Sequence, residues 1–121
     1  MDNKEKNFAS AVIYVHNAEN RIENFLNTII SVMEDNFEHS EIICINDSSD
    51  DNSLSKIKEA SNRAERTSVS VVNMGYFHGL EIAMNAGIDL TIGDFVFEFD
   101  NTILDYNKSE IMKVYHKSIY F

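Results

Sequence analysis

The sequence has no proline, no tryptophan, four glycines and a single cysteine. With Cys44 alone, the chain forms neither an internal disulfide nor a cysteine-based metal cluster. No apolar run reaches the roughly 18 residues that would span a bilayer, and the polar residues 1–7 lack the apolar core of a signal peptide. From these absences we expect a domain of the reducing cytoplasm.

Positive charge is also scarce. Ten Lys and Arg stand against twenty Asp and Glu, which gives a formal net charge of -10 at pH 7. Such a surface repels phosphate backbones and anionic lipid, and no local basic patch offsets it. We therefore expect no nucleic-acid partner and no membrane-surface binding. The 121 residues, 44% of them hydrophobic, suit one domain with a single core.

The apolar pattern alternates between two periods along the chain. Short apolar runs predict buried strands, and apolar residues at helical spacing predict amphipathic helices. This alternation predicts an α/β fold: an open, mostly parallel, doubly wound sheet with helices on both faces. The strands are predicted at residues 9–15, 41–46, 68–73 and 94–100. The helices are predicted at 22–33 after an N-cap at Asn17, at 54–64, at 80–91 before Gly93, and in the tail at 111–119.

Polar residues lie at the end of each predicted strand. His16 and Asp47 come directly after the first and second strands, and Asn73 and Asp100 are the last residues of the third and fourth. Ligands of open parallel sheets bind beyond the carboxyl ends of the strands, so we expect Asp47 and Asp100 to converge there. A lone Asp in this position is as often a helix cap or a turn residue. The two carboxylates together, beside a polar loop, favour a binding site.

Four segments of the sequence resemble motifs of one known family. Residues 12–19 (VIYVHNAE) look like the opening strand and turn of that family, and residues 45–53 (INDSSDDNS) resemble its V-D-D-G-S-x-D-x-[ST] segment. Residues 79–88 (GLEIAMNAGI) are similar to its G-x-x-x-A-x-N-x-G-[IL] helix. Residues 93–100 (GDFVFEFD) resemble the strand that leads into its D-x-D motif. In their order and spacing, over nearly the whole chain, the four segments resemble family 2 glycosyltransferases.

The resemblance implies a GT-A fold, which is Rossmann-like, and a hexosyltransferase. Such an enzyme transfers a sugar with inversion from a nucleotide-sugar, such as a UDP- or GDP-sugar, to an acceptor glycan or lipid-linked sugar in polysaccharide biosynthesis. Matched to the motifs, Asp47 hydrogen-bonds the base, His16 lies against the base, and Asp100 meets the ribose and a diphosphate bound to Mg²⁺ or Mn²⁺. A half-exposed loop histidine without a ligand is the competing interpretation of His16. The other matched nucleotide-binding positions are Val15, Asn17, Glu19, Gly79 and Asn85.

The sequence departs from the family pattern at several positions. Most consequential is Thr102, which stands where the second metal-binding Asp of D-x-D would be. A neutral hydroxyl is a weaker ligand than a carboxylate, so metal binding would be weak, use water, or draw on Asp105. The remaining departures are Tyr14 for a usual Pro, Asn46 for Asp, Ser48 for Gly and Met84 for a frequent Arg.

The family's catalytic domains continue past D-x-D with an acceptor-binding half that carries the catalytic base. We therefore expect residues 1–121 to be the donor-binding half of a longer enzyme, inactive by itself, with membrane association of the full protein left open. Its catalytic residue is unknown. We also expect an exposed apolar face that promotes self-association.

Two alternatives come from other functional classes. A phosphoacceptor receiver domain fits the length and acidity, but it needs carboxylates where this chain has His16-Asn17 and Asn73-Met74. A non-catalytic nucleotide-binding or interaction module is the stronger alternative. Residues 76–78 (YFH), between two glycines, would then be a contact surface, or they would fold over the nucleotide pocket.

Overall fold

The computed structural model describes residues 5–102. The predicted tail helix and Asp105 lie outside this range. Strands and helices alternate throughout the described part of the chain. The elements are β1 (Glu5–Val15), α1 (Ile22–Asn36), β2 (Phe37–Asn46), α2 (Ser53–Ser61), β3 (Ser68–Asn73), α3 (Leu80–Asp89) and β4 (Phe95–Phe99).

The four strands form one parallel sheet in the order β3-β2-β1-β4. This is the 3-2-1-4 order of doubly wound nucleotide-binding sheets, whereas flavodoxin-like receiver sheets follow the order 2-1-3-4-5. The prediction of an open parallel α/β sheet is confirmed. The strand order is not that of the receiver alternative.

Helices cover both faces of the sheet, as predicted. Alternate residues of β1 point to opposite faces, because the side-chain period of a strand is two. Ile13 packs with α1 and α2 in the larger hydrophobic cluster, which we call the α1-side core. Val12 packs with Ala83 and Met84 of α3 in a smaller cluster, the α3-side core. Burial on both faces explains why β1 reads as a nearly continuous apolar run.

The first two strands begin earlier than predicted. β1 starts at Glu5 rather than at residue 9, and β2 starts at Phe37 rather than at residue 41. The first residues of both strands are mostly polar, and this hides the strand pattern in the sequence. Parallel pairing from Glu5 and Phe37 onward nevertheless extends the hydrogen-bonded ladder between the two strands. The Phe37 ring is buried and meets the Phe97 ring edge-on, with centroids 6.1 Å apart. Other predicted boundaries agree with the structure to within a few residues.

Two predictions about helix ends are wrong. α1 begins at Ile22 after Arg21, with no side-chain cap, so Asn17 is not its N-cap. Asn17 adopts a left-handed backbone (φ 49°), and its side-chain oxygen accepts a 2.7 Å hydrogen bond from the Asp50 amide. Gly93 does not end α3, which stops at Asp89. A Cβ at Gly93 would collide with Ser10 of β1, so this glycine allows close packing against the strand.

In residues 5–102, no helix combines the length and the apolar character needed to cross a bilayer.

Candidate functional site

The site lies where the strand order of the sheet reverses. The chain leaves β1 through α1 on one face and reaches β4 through α3 on the other, so a crevice opens beyond the ends of β1 and β4. The register pairs Val15 with Asn46 and Ile13 with Phe99, which aligns the strand ends. His16, Asp47 and Asp100 therefore share this edge, as expected.

Asp47 is the centre of the polar network at this edge. Its side chain is fully buried, at 0% exposure. One carboxylate oxygen, Oδ1, accepts a 2.9 Å hydrogen bond from the His78 amide. The other, Oδ2, accepts from the Gly79 amide at 2.9 Å and from the Tyr14 hydroxyl at 2.8 Å. Asp47 thereby fixes the start of α3 to the end of β2.

These hydrogen bonds determine the charge of Asp47. Burial raises the pKa of this carboxyl, but the hydrogen bonds from the His78 amide, the Tyr14 hydroxyl and the Gly79 amide together hold the pKa below its ordinary value. Burial, the hydrogen bond to Asp47 and the charge of Asp47 raise the pKa of Tyr14. The pair is therefore an anionic acceptor and a neutral donor. The positive end of the α3 dipole favours the same anion.

Aromatic rings surround the Asp47 network. The His16 Nδ1–H donates a 2.7 Å hydrogen bond to the Asp47 carbonyl. Residues 75–79, which we call the aromatic loop, bring Phe77 against the His16 ring, with centroids 4.8 Å apart. Tyr76 stacks on His78 at 4.2 Å. Tyr76 and Phe77 remain 70% and 58% exposed, so they offer flat apolar surface beside the crevice.

The loop after β1 is held by the loop after β2. The Ala18 amide donates to the Ser53 hydroxyl at 2.8 Å, and the Glu19 amide donates to the Asp51 carboxylate at 3.1 Å. Burial raises the pKa of Asp51, but hydrogen bonds from Ser53 and the Glu19 amide outweigh it and lower that pKa. Asp51 and Ser53 thus position the backbone next to His16. Of the other predicted site residues here, Asn17 is exposed, and Val15 buries its side chain in the α1-side core.

Two departures from the family pattern have local explanations. The Asn46 side chain donates to Asn73 at 3.0 Å and accepts from the Ser49 hydroxyl at 2.6 Å. An ionised Asp at position 46 could not donate to the Asn73 oxygen as the Asn46 amide does. Ser48 adopts a left-handed backbone (φ 52°), the conformation that favours the glycine usual in this motif.

A cleft of about 360 Å³ separates α3 from β4. It brings together Asn85 and Asp100, two of the predicted site residues, and adds the carboxylates of Glu81 and Glu98. Sequence reasoning missed Glu98, although the two-residue strand period places it on the same face as Asp100. The cleft is also lined by Leu80, Met84 and Ile88.

The residues at the end of β4 meet part of the requirement for a divalent cation. Asp100 is exposed, and one of its oxygens accepts from the Asn101 side chain at 3.2 Å. Thr102 is 4% exposed, and its hydroxyl oxygen accepts from Arg21 Nε at 3.3 Å. Residues 5–102 contain no group of three or more His, Cys, Asp or Glu that could hold a metal ion. An exposed carboxylate such as Asp100 suits the mode in which Mg²⁺ is held by one or two carboxylates together with substrate phosphates.

Comparisons with known proteins give the same assignment as the motifs. The family model described as Glycosyl transferase family 2 matches residues 10–101. An uncharacterized glycosyltransferase of Synechocystis sp. (strain ATCC 27184 / PCC 6803 / Kazusa), sll0501, is 34% identical over 98 residues, which are 79% of this chain and 30% of that protein. The chain thus spans less than a third of the length of this relative.

A solved structure shares the fold. It is the mannosyltransferase PcManGT from Pyrobaculum calidifontis, in complex with GDP-Man and Mn²⁺. The TM-score is 0.68 at 17% identity, and the match covers 78% of this chain and 27% of that one. The open Rossmann-like sheet is therefore of the GT-A type. Because the family model spans all four motifs and both sides of the crevice, the chain belongs to glycosyl transferase family 2.

Proposed function

We propose that the chain is the donor-binding part of an inverting hexosyltransferase that takes its sugar from a UDP- or GDP-sugar. The observation that carries the proposal is the grouping of His16, Asp47 and Asp100 at the switch point of a GT-A sheet. We assign the catalytic base and the acceptor site to segments outside residues 5–102. The acceptor class that suits the family is a glycan or a lipid-linked sugar.

We assign the base of the nucleotide to the Asp47 end of the crevice. An anionic carboxylate accepts from the ring N–H of uracil or guanine. The flat rings of His16 and Phe77 lie next to it and suit stacking on a base. The aromatic loop then borders the pocket and restricts water there.

We assign the diphosphate and the sugar to the cleft between α3 and β4. The Asn85 amide is a donor for phosphate or sugar oxygens, and Asp100 faces the same space. A divalent cation, Mg²⁺ or Mn²⁺, held by Asp100 would neutralise the diphosphate leaving group. The Mn²⁺ and GDP-Man of PcManGT support this choice of ligands. With a net charge of -10, the chain itself offers the diphosphate little compensation.

Calorimetric titration with UDP and GDP, each with and without Mn²⁺, tests the proposal. We expect nucleotide binding that Mn²⁺ strengthens. Asp100→Asn should weaken binding about tenfold with Mn²⁺ and leave the metal-free titration unchanged, because its role runs through the cation. Asp89→Asn, an exposed carboxylate near the end of α3, is the matched control. Equal binding by Asp100→Asn and the parent in Mn²⁺ would contradict the assignment of Asp100.

Asp47→Ala should weaken nucleotide binding by about ten- to a hundredfold, since a hydrogen bond to a charged acceptor contributes roughly 1.5–3 kcal/mol. Thermal melts of the same variant separate this effect from the loss of the α3 anchor. If no nucleotide binds under any condition, the interaction module becomes the better function. The exposed rings of Tyr76 and Phe77 would then be its contact surface.

A further inference from the structure

The Tyr14 hydroxyl occupies the acceptor that the proposed function gives to the base. Tyr14 lies on β1 and packs against the α3-side core. Its hydroxyl donates to Asp47 Oδ2 at 2.8 Å. The residue usual at this position of the family is a proline, which has no hydroxyl. This internal hydrogen bond therefore comes from a departure of this sequence.

Three donors of the chain itself bind the Asp47 carboxylate, which has no exposed surface. Oδ2 has two donors, the Tyr14 hydroxyl and the Gly79 amide. Oδ1 has the His78 amide at 2.9 Å, with the Nδ1 of the same histidine 4.0 Å away. The side chain is 0% exposed. A base cannot reach Asp47 unless one of these donors leaves.

The three donors differ in how easily they can leave. The His78 and Gly79 amides belong to the backbone that starts α3, and Gly79 holds a left-handed φ of 91° there. Moving them would dismantle the helix start. The Tyr14 hydroxyl, in contrast, lies at the end of a side chain that rotates about two bonds, and this side chain is only partly buried. Tyr14 is therefore the donor that can move away from Asp47 while α3 stays intact.

We propose that the Tyr14 hydroxyl competes with the nucleobase for Asp47 and thereby sets the affinity of the donor site. The inference rests on the proposed function. A base N–H, from uracil or guanine, replaces the O–H of Tyr14 at Oδ2, so the carboxylate keeps the same number of donors. Because the hydrogen bond from Tyr14 to Asp47 must be broken, the free energy of nucleotide binding is less favourable than it would be without the hydroxyl. A ligand without a base does not break this hydrogen bond.

Tyr14→Phe tests the competition, because it removes the hydroxyl and keeps the ring. We expect the variant to melt at a lower temperature than the parent, since buried Asp47 loses a donor. It should bind UDP or GDP roughly tenfold more tightly or better, since the competing hydrogen bond is gone. Inorganic pyrophosphate with Mn²⁺ should bind both proteins equally. Thr28→Val removes a hydroxyl on α1 that donates to the Asn24 carbonyl, and is the control for hydroxyl loss.

The outcomes separate this inference from the proposed function. Tighter binding by Tyr14→Phe, or binding that only this variant shows, supports both. If the parent binds nucleotide and Tyr14→Phe binds equally or more weakly, the competition is wrong and the proposed function stands. If neither protein binds nucleotide, the proposed function fails and the competition falls with it.

A measurement on the parent covers the case in which Tyr14→Phe does not fold. The ring carbon that bears the Tyr14 hydroxyl is followed by NMR at about pH 7, with and without saturating nucleotide, since the ring N–H of the base is intact there. Release of the hydroxyl from Asp47 should shift the resonance of this carbon. An unchanged resonance in the nucleotide-bound protein would overturn the inference.

Discussion

Buried and half-buried carboxylates hold the loops of this domain by accepting hydrogen bonds from backbone amides. Asp47 binds the amides at the start of α3, and Asp51 binds the amide of Glu19. Glu34, at the end of α1, binds three successive amides of the α2–β3 connection, at residues 65, 66 and 67. A charged acceptor strengthens each of these bonds. Each of these acidic residues thus holds in place a loop that the strands and helices do not hold by themselves.

Glu34→Gln should destabilise the protein by about 1–2 kcal/mol at about pH 7, because a neutral amide is a weaker acceptor than a carboxylate. Burial raises the pKa of Glu34, but the amides of Arg66, Thr67 and Glu65 outweigh burial and lower it. A pKa lower in the folded than in the unfolded protein means that this stabilisation is complete above the unfolded pKa. It is lost as the pH falls through the folded pKa. Urea unfolding of parent and variant at a series of pH values measures the difference.

The difference between parent and Glu34→Gln should accordingly shrink from neutral to acid pH, as the Glu34 carboxyl takes up a proton. Glu38→Gln, an exposed glutamate on β2, is the matched control and should change stability little at either pH. A pH-independent difference for Glu34→Gln would show that its charge is not what holds the loop.

At the scale of elements, α1 and α3 attach to the sheet in different ways. α1 inserts a wide apolar stripe into the α1-side core. α3 is held by small residues that let it approach the sheet closely, with Ala83 and Gly87 buried. The buried residues of α1 are Ile22, Phe25, Leu26, Ile29, Ile30, Val32 and Met33. The attachment of α1 therefore depends on the volume of its buried side chains, and the attachment of α3 depends on its close approach to the sheet.

Leu26→Ala should cost about 2–5 kcal/mol of stability, because it removes a fully buried side chain from the middle of the α1 stripe. Leu90→Ala is the matched control, since Leu90 is 54% exposed at the end of α3. Denaturant melts of the two variants give the comparison. Equal midpoints would mean that α1 does not anchor the core through this face.

Gly87→Ala should destabilise the protein by about 1–3 kcal/mol through overpacking. An added Cβ would lie 2.6 Å from Val12 Cγ1, and a branched side chain on a buried strand has little freedom to move. This outweighs the gain of about 1 kcal/mol in helix propensity. Gly75→Ala is the control, because an added Cβ there meets nothing within 4 Å. Thermal melts in which Gly87→Ala equals or exceeds the parent would show that α3 can shift outward.

At the scale of the whole molecule, charge and apolar surface oppose each other. A net charge of -10 makes copies of the chain repel one another. Exposed apolar side chains, however, concentrate on α3, the α3–β4 connection and β4, which is an edge strand of the described sheet. These side chains are Leu80, Ile82, Leu90, Ile92 and Val96. Edge strands with apolar neighbours are sites of association.

We expect the chain to self-associate as the salt concentration rises, because salt screens the repulsion and leaves the apolar attraction. Sedimentation velocity at about 0.05 M and about 0.5 M salt measures the shift in mean mass. Ile92→Glu, at a position 73% exposed, should reduce association. Asn20→Glu adds the same charge at an exposed position between β1 and α1 and is the control. A chain that stays monomeric at high concentration in both conditions would contradict the prediction.

Local sequence patterns are sufficient to predict the elements and the fold class. The spacing of apolar residues is a local property of the sequence. It predicts a strand at residues 68–73 and a helix that starts at residue 80, and the structure has both. The four motifs identified the family, because each is a short continuous segment. The same local signals placed His16, Asp47 and Asp100 after strands. Prediction was poorer where a polar residue lies in a strand, as at the start of β2, because pairing with a distant strand determines the conformation there.

The contacts of Asp47, in contrast, depend on the tertiary structure. Its donors come from Tyr14, His78 and Gly79, which are 31 to 33 residues away in sequence. The parallel pairing of β1 with β2 and the passage of α3 across the opposite face bring them together. Sequence alone indicated a carboxylate open to a base, whereas the folded chain satisfies that carboxylate internally. A buried charge must be hydrogen-bonded, and the partners available to it are fixed by packing rather than by local sequence.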